Sequence, residues 1–259
     1  MQEINAEISK KHEANLRSFK KHCVALGVFH GGVPDLIGSG TLISWGINHY
    51  ILTVAHLFSA HRMDDFYIFT GRNYVQLGSD FISTDIEQSI EANIEYCLVK
   101  LKTDQVNELR DFKFADLEGI PSPQTANKSN VLFFVGFPWK KSKANKYNRK
   151  HKLNSYVFYH PEIINFDNPR FNVDTHCAIV IDRKINKCIN EKSMKVSAPP
   201  ELKGISGGPI FIMNATISSN RRKNVLIGIC MEYDERTQYM YGIRISKILN
   251  LLQTKGVFL

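Results

Sequence analysis

No run of this chain approaches the 18 consecutive apolar residues that a membrane-spanning helix needs, so no such span is expected. The opening Met1-Gln2-Glu3-Ile4-Asn5 lacks a basic stretch leading into an apolar core. A secretory signal is therefore not expected, and the protein is expected to stay inside the cell. Cysteine is sparse and odd in number: Cys23, Cys97, Cys177, Cys188 and Cys230, none in a Cys-x-x-Cys pair and four of them among apolar neighbours. That pattern argues for buried, reduced thiols in a cytoplasmic setting, and no Cys/His spacing suits a structural zinc. There is no internal repeat of fixed period. What is present is an ordinary globular balance, 43% hydrophobic and 22% charged over 259 residues, enough to build a core in one large or two small domains.

The formal net charge of +8 is largely local. Lys140, Lys141, Lys143, Lys146, Arg149, Lys150 and Lys152 fall in one stretch with no acid between them; without these seven, 26 basic residues face 25 acidic ones. The protein thus reads as near neutral with one basic loop, 140–152.

Residues 1–22 are polar, with Ile4, Ile8, Leu16 and Phe19 at weakly helical spacing, and read as an N-terminal helical extension outside the core. From Cys23 the texture changes to short runs rich in Val, Ile, Phe, Tyr and Thr, separated by Gly31-Gly32, Gly46, Gly71 and Gly78. Many short strands without intervening long helices indicate an all-β sandwich or barrel. The stretch 118–130 carries two prolines and no apolar period and reads as a linker. It divides a strand-rich half at 23–117 from another at 131–245. Ser246 is placed to cap a C-terminal helix over 246–259 bearing Ile248, Leu249, Leu251 and Leu252.

Three local patterns carry chemistry. In Gly204-Ile205-Ser206-Gly207-Gly208-Pro209 a serine sits in a glycine loop whose backbone N–H groups can converge on an oxyanion, with Gly204 and Ser206 as donors. In Thr53-Val54-Ala55-His56 a histidine ends an apolar run that reads as a buried strand. In Glu95-Tyr96-Cys97-Leu98-Val99 a carboxylate opens another apolar strand, where burial is costly unless a partner such as an imidazole N–H is at hand.

The order His, acid, Ser in these frames resembles the trypsin/chymotrypsin-like serine peptidases, and among them the compact cytosolic bacterial members. Thr53–His56, Glu95–Val99 and Gly204–Pro209 stand where that family has Thr-Ala-Ala-His, Asp-Ile-Ala-Leu-Leu and Gly-Asp-Ser-Gly-Gly-Pro. Supporting stretches are Gly38–Ile43, Val135–Pro138 and Leu226–Ile229, so the likeness runs from about Cys23 to Leu252. The resemblance implies two six-stranded antiparallel β-barrels of the chymotrypsin type with a C-terminal helix. It implies a cleft site with His56, Glu95 and Ser206 as triad and Gly204 and Ser206 as oxyanion donors, with no cofactor and no metal. Bacterial relatives of this kind often serve in stress or anti-phage defence.

The departures are informative. Glu95 replaces the usual Asp, leaving Asp85 and, less directly, Asp80 as alternative acids. Ile205 precedes the serine where zymogen-activated members carry an Asp, so activation by a processed N-terminus is not expected. Pro200, six residues before the serine, offers no charge to a basic side chain. Met231, Glu232 and Tyr233 follow on the strand that in the family pairs with substrate backbone. Together these predict a pocket for a small or apolar residue.

The expected function is an intracellular serine endopeptidase acting on a protein or peptide substrate, open to an activating partner. The alternative is a non-catalytic module on the same fold that holds an acidic partner or nucleic acid through loop 140–152. A viral-type processing enzyme is a third option. Trp139 and Tyr147 are the only aromatics beside the basic run, which weakens a base-stacking mode of nucleic-acid binding.

Overall fold

The computed structural model describes residues 18–59, 61–78, 80–84, 93–118, 130–141, 143–144, 151–160, 166–181, 188–190, 195–197, 200–214 and 224–257. The first sheet comprises β1 (Cys23–His30), β2 (Val33–Trp45), β3 (Asn48–Thr53), β4 (Phe66–Phe69), β5 (Tyr74–Gln76), β6 (Phe81–Ser83), β7 (Cys97–Lys100) and β8 (Ala115–Asp116). Its order is β5-β4-β1-β2-β3-β7-β6, antiparallel throughout except that β8 runs parallel beside β2. The β1–β2 hairpin turns on Gly31 and Gly32, both at positive φ, the conformation a two-residue loop needs to match strand twist.

The second sheet is built from β9 (Asn130–Gly136), β12 (Tyr156–His160), β13 (His176–Val180), β14 (Cys188–Asn190), β15 (Lys195–Ser197), β16 (Pro209–Asn214), β17 (Asn224–Asp234) and β18 (Tyr239–Arg244). Its order is β13-β18-β17-β16-β9-β12-β14-β15, all antiparallel. Between β9 and β12 a small hairpin pairs β10 (Lys143–Ala144) with β11 (His151–Lys152). The fold is thus all-β, with two antiparallel sheets and a C-terminal helix. Among the described residues each sheet carries eight strands where six were expected, because short pairings such as β8 and the β14–β15 hairpin are too short to stand out in the sequence.

Alternation along the strands sets two cores. On β9, Leu132 and Phe134 face one cluster of buried residues with Ile179, Ile210 and Met240. Phe133 and Val135 face the other, shared with the first sheet and the C-terminal helix. Both faces of β9 are therefore covered. Helix α1 (Thr103–Glu108) follows β7, and helix α2 (Ile245–Thr254) closes the chain by burying Ile245, Ile248 and Leu252.

Two expectations are corrected here. Arg244, not Ser246, is the N-cap residue of α2, and no side chain bonds the cap; Ser246 lies within the first turn. Residues near the N-terminus also enter the core. Residues 18–20 are helical, and Phe19 is fully buried, stacked on Phe133 at 4.8 Å and against Phe211 at 5.1 Å. One aromatic at the end of a polar segment produces no periodic signal, yet burying it contributes roughly 1.5–3 kcal/mol. Ile4, Ile8 and Leu16 lie outside the described residues.

His22 beside this plug is largely buried, its ring 5.3 Å from Phe211, and its Nδ1 has no hydrogen-bond partner among the described residues. Burial first, then the charge of Lys113, lowers its pKa to about 4. The folded state therefore keeps His22 neutral while the unfolded chain protonates it below pH 6.5. Stability falls as pH drops from 6.5 toward 4, by about 2 kcal/mol at pH 5 from this residue. His22→Phe is expected to shallow that acid slope in urea unfolding at pH 7 and pH 5; an unchanged slope would show that His22 stays protonated in the fold.

Candidate active site

The register of the first sheet brings His56 and Glu95 together. Thr53 at the end of β3 pairs with Cys97 at the start of β7. In an antiparallel pair the chain beyond Thr53 runs beside the chain before Cys97, which places Glu95 next to the turn that carries His56. That turn is a 3₁₀ segment, Ala55–Phe58, which swings the imidazole out of the sheet. Leu57 fixes it from below by filling the notch that Gly38 leaves: a Cβ there would come within 2.4 Å of Leu57 Cδ1. Ser59 closes it, its Oγ donating to His56 O at 2.8 Å.

His56 Nδ1 lies 2.5 Å from Glu95 Oε1. The Glu95 side chain is only 18% exposed, whereas the imidazole is 46% exposed. The acid is sheltered and the ring's other edge faces outward. Thr84 anchors the acid's strand, accepting from Tyr96 N at 2.7 Å and donating through N–H and Oγ1 to Tyr96 O.

The alternative acids fare differently. Asp80 accepts the Lys100 N–H through its backbone at the opposite end of β7 from Glu95. Those four residues separate it from the His56 turn by about 10 Å. Asp80 is therefore not beside the imidazole. Asp85 lies outside the described residues.

The serine loop belongs to the second sheet in sequence and is bolted to the first. Ser39 N–H donates to Ser206 O at 2.9 Å, Ser39 Oγ to Gly204 O at 2.8 Å and Thr41 Oγ1 to Gly207 O at 2.8 Å. Thr53 Oγ1 donates to Ser39 O at 2.8 Å, tying the same spot to the strand that leads into His56. Gly207, at φ +85°, lets this approach happen: a Cβ there would sit 2.1 Å from both Ser39 O and Thr53 Oγ1. From the other side, Gly207 N–H donates to Cys230 O at 2.7 Å and Cys230 N–H to Gly208 O at 2.8 Å. Ser206 is thereby held at the junction of the two sheets, on the edge that carries His56. Among the described residues no hydrogen bond joins Ser206 Oγ to His56.

Within the loop the backbone donors divide in a telling way. The N–H groups of Ile205, Gly207 and Gly208 bond Leu202 O, Cys230 O and Ile205 O. Those of Gly204 and Ser206 bond no acceptor among the described residues. Ile205, 1% exposed, is seated against Gly136, where a Cβ would come within 2.6 Å of its own. An apolar side chain at this point packs the loop onto β9 where a carboxylate would need a buried partner.

Pro200 and Met231 are buried. Beyond Ile229, β17 has passed the end of β16 and pairs with β18 alone, with a register shift between Cys230 and Glu232. Glu232 does not stand as a bare carboxylate: Arg170 grips it through Nη1 and Nη2 at 3.0 and 2.7 Å, and the pairing pushes the Arg170 pKa up. Tyr233 donates its hydroxyl to Ile181 O at 3.2 Å. The Arg170–Glu232 pair had no sequence signal, since 62 residues separate its partners. In the basic run, Lys140 Nζ lies 2.5 Å from Glu201, and Lys203 sits 4.6 Å over the Trp139 ring. Within the run, Lys143–Ala144 pairs with His151–Lys152; residues 142 and 145–150 lie outside the described ones.

Cavities of about 570 and 560 Å³ lie elsewhere, the first near Lys20, Arg72 and Phe112 and the second near Ile47, Asp80 and Lys100. Neither touches His56, Glu95 or Ser206.

No family model matches the chain, and no curated protein sequence matches it. Solved structures do. Rv3671c from M. tuberculosis H37Rv, in an inactive form, is 12% identical with a TM-score of 0.47, covering 93% of this chain and 89% of that one. The serine protease domain of the Sesbania mosaic virus polyprotein is 13% identical with a TM-score of 0.45, covering 90% and 92%. The MamO protease domain from Magnetospirillum magneticum is 12% identical with a TM-score of 0.47, covering 91% and 98%.

Proposed function

We propose that this protein is a serine endopeptidase working through Ser206, His56 and Glu95. The observation that carries the reading is a conjunction: a sheltered carboxylate 2.5 Å from His56 Nδ1, on the same sheet edge to which the serine loop is fastened. Glu95 holds the His56 proton on Nδ1, which leaves Nε2 basic. Ser206 Oγ gives its proton to Nε2 as it attacks a peptide carbonyl, and the imidazolium later protonates the leaving amine. The uncommitted N–H groups of Gly204 and Ser206 receive the oxyanion, each donor worth ~3 kcal/mol in the transition state. A substrate strand adds alongside Met231–Tyr233.

The five cysteines are all buried and none forms a disulfide, in keeping with a reducing, cytoplasmic setting. Among the described residues no helix is long and apolar enough to cross a membrane. A peptidase at large among cellular proteins needs a narrow substrate set, as a stress or anti-phage effector would have. Uncharged Pro200 and the salt-bridged Glu232 select a small or apolar residue before the cleaved bond. The basic hairpin favours acidic residues elsewhere in the substrate, or an acidic activating partner.

Labelling of Ser206 by a fluorophosphonate probe tests the chemistry. Cleavage-site profiling on a peptide library at low and high salt tests the specificity. We expect cleavage after small or apolar residues. The preference for acidic flanks should fade as the Debye length shrinks below ~8 Å, and should vanish when the seven cations of 140–152 are neutralised. Strong cleavage after Lys or Arg would overturn the pocket assignment. Absence of labelling, with retained binding of an acidic protein or nucleic acid, would favour the non-catalytic module.

A further inference from the structure

We infer that His176, together with the backbone of Arg170, clamps Asn93 so that Glu95 is aimed at His56, making His176 and Asn93 positioning residues for the candidate triad. Glu95 belongs to the first sheet in sequence, but the residue two before it is held by the second. His176 Nε2 lies 2.9 Å from Asn93 O, and Asn93 Nδ2 donates to Arg170 O at 2.9 Å. Asn93 sits at φ +49°, a left-handed conformation that turns the chain sharply into Ile94 and Glu95. Backbone and side chain of one residue are therefore gripped by two separate points of the second sheet's surround.

The protons of His176 can be counted. Its Nδ1 lies 2.6 Å from Thr175 Oγ1 and 3.2 Å from Asn172 O. The single Thr175 hydroxyl proton has two acceptors in reach, Asn172 O at 3.1 Å and Nδ1; directed to Nδ1, it leaves a neutral ring with its proton on Nε2, donating to Asn93 O, and only the longer Nδ1–Asn172 O contact without a proton. The opposite tautomer would set the Nε2 lone pair against the Asn93 carbonyl. The ring is fully buried, and burial, reinforced by the Arg244 charge, lowers its pKa, so the neutral form is the one present at neutral pH.

The clamp is itself braced. Phe171 lies edge-on to His176 at 5.2 Å and stacks on Tyr241 at 4.0 Å. Arg170 sits over the Phe171 ring at 5.0 Å while its guanidinium grips Glu232. Arg244 Nε donates to His176 O at 2.9 Å. The strand proposed to meet substrate and the turn that aims the acid thus share one supporting cluster.

The kinetic side of this inference rests on the peptidase reading; its spectroscopic side does not. His176→Phe keeps a flat aromatic ring, slightly larger than imidazole, and removes the donor to Asn93 O, while His176→Gln retains an N–H donor. We expect His176→Phe to lower kcat on a short peptide ~100-fold, the effect of a misplacement of about 1 Å, with KM within about twofold. His176→Gln should recover most of that loss. The low-field proton NMR signal of the His56 Nδ1–Glu95 hydrogen bond should weaken or vanish in His176→Phe and return in His176→Gln. Should His176→Phe not fold, Asn93→Gly keeps the left-handed turn, removes the bond to Arg170 O and should weaken the same signal. A low-field signal and kcat unchanged in either folded variant would overturn the clamp. If the wild-type protein hydrolyses nothing yet shows the signal, and the signal is lost in the variant, the clamp stands and the peptidase reading falls.

Discussion

Ser206→Ala and His56→Ala are each expected to lower kcat for peptide hydrolysis by roughly a millionfold, and the double variant by no more than either alone. In the proposed mechanism the three side chains act as a unit: without Ser206 Oγ there is no nucleophile for His56 to deprotonate, and without His56 the hydroxyl keeps its proton. What survives is the oxyanion hole and substrate positioning, which still outrun water. Neither substitution should cost much stability. His56 is nearly half exposed, and Ser206 is held through its backbone carbonyl, which alanine keeps. Single-turnover hydrolysis combined with thermal unfolding checks both halves of the expectation. Near wild-type turnover in either variant would remove that residue from the chemistry. A large fall in melting temperature would mean that it builds the fold.

Glu95→Gln is expected to lower kcat about ten-thousandfold with the fold intact. The amide fits the same space and still bonds the imidazole, but its NH₂ can donate to Nδ1, which favours the tautomer with the proton on Nε2. That tautomer cannot accept the Ser206 proton. The imidazolium that forms during attack also loses its countercharge. Glu95→Asp keeps the charge and shortens the reach by one methylene, so it should fall between the wild type and Glu95→Gln. Asp80→Asn should change little, because Asp80 lies at the far end of β7, where its carbonyl accepts the Lys100 N–H. The measurement is kcat against pH for the three variants. Equal losses in Glu95→Gln and Glu95→Asp would show that geometry outweighs charge, and a large loss in Asp80→Asn would displace Glu95 from the role.

Much of this was legible along the chain for definite physical reasons. Short runs rich in Val, Ile, Phe, Tyr and Thr with glycine punctuation marked an all-β fold, because strand-forming residue types and turn residues are local signals. Gly204–Pro209, Thr53–His56 and Glu95–Val99 could be singled out because a serine in a glycine loop, a histidine ending an apolar strand and a carboxylate opening one are each locally anomalous. Ile205 and Pro200 were visible as departures at single positions.

Other features needed the folded chain. That Glu95, and not Asp80, meets His56 follows from the pairing of Thr53 with Cys97, and register is a relation between strands that neither strand encodes alone. The docking of the serine loop on Ser39, Thr41 and Thr53 links residues more than 150 positions apart. Phe19 entered the core from a segment too polar to advertise it. The grip of His176 and Arg170 on Asn93 joins 77 to 83 positions of separation into one turn. The sequence by itself determined which side chains were available for chemistry, because chemical identity is local. Only the tertiary structure decided which of them meet, because that depends on strand register and on hydrogen bonds between the two sheets.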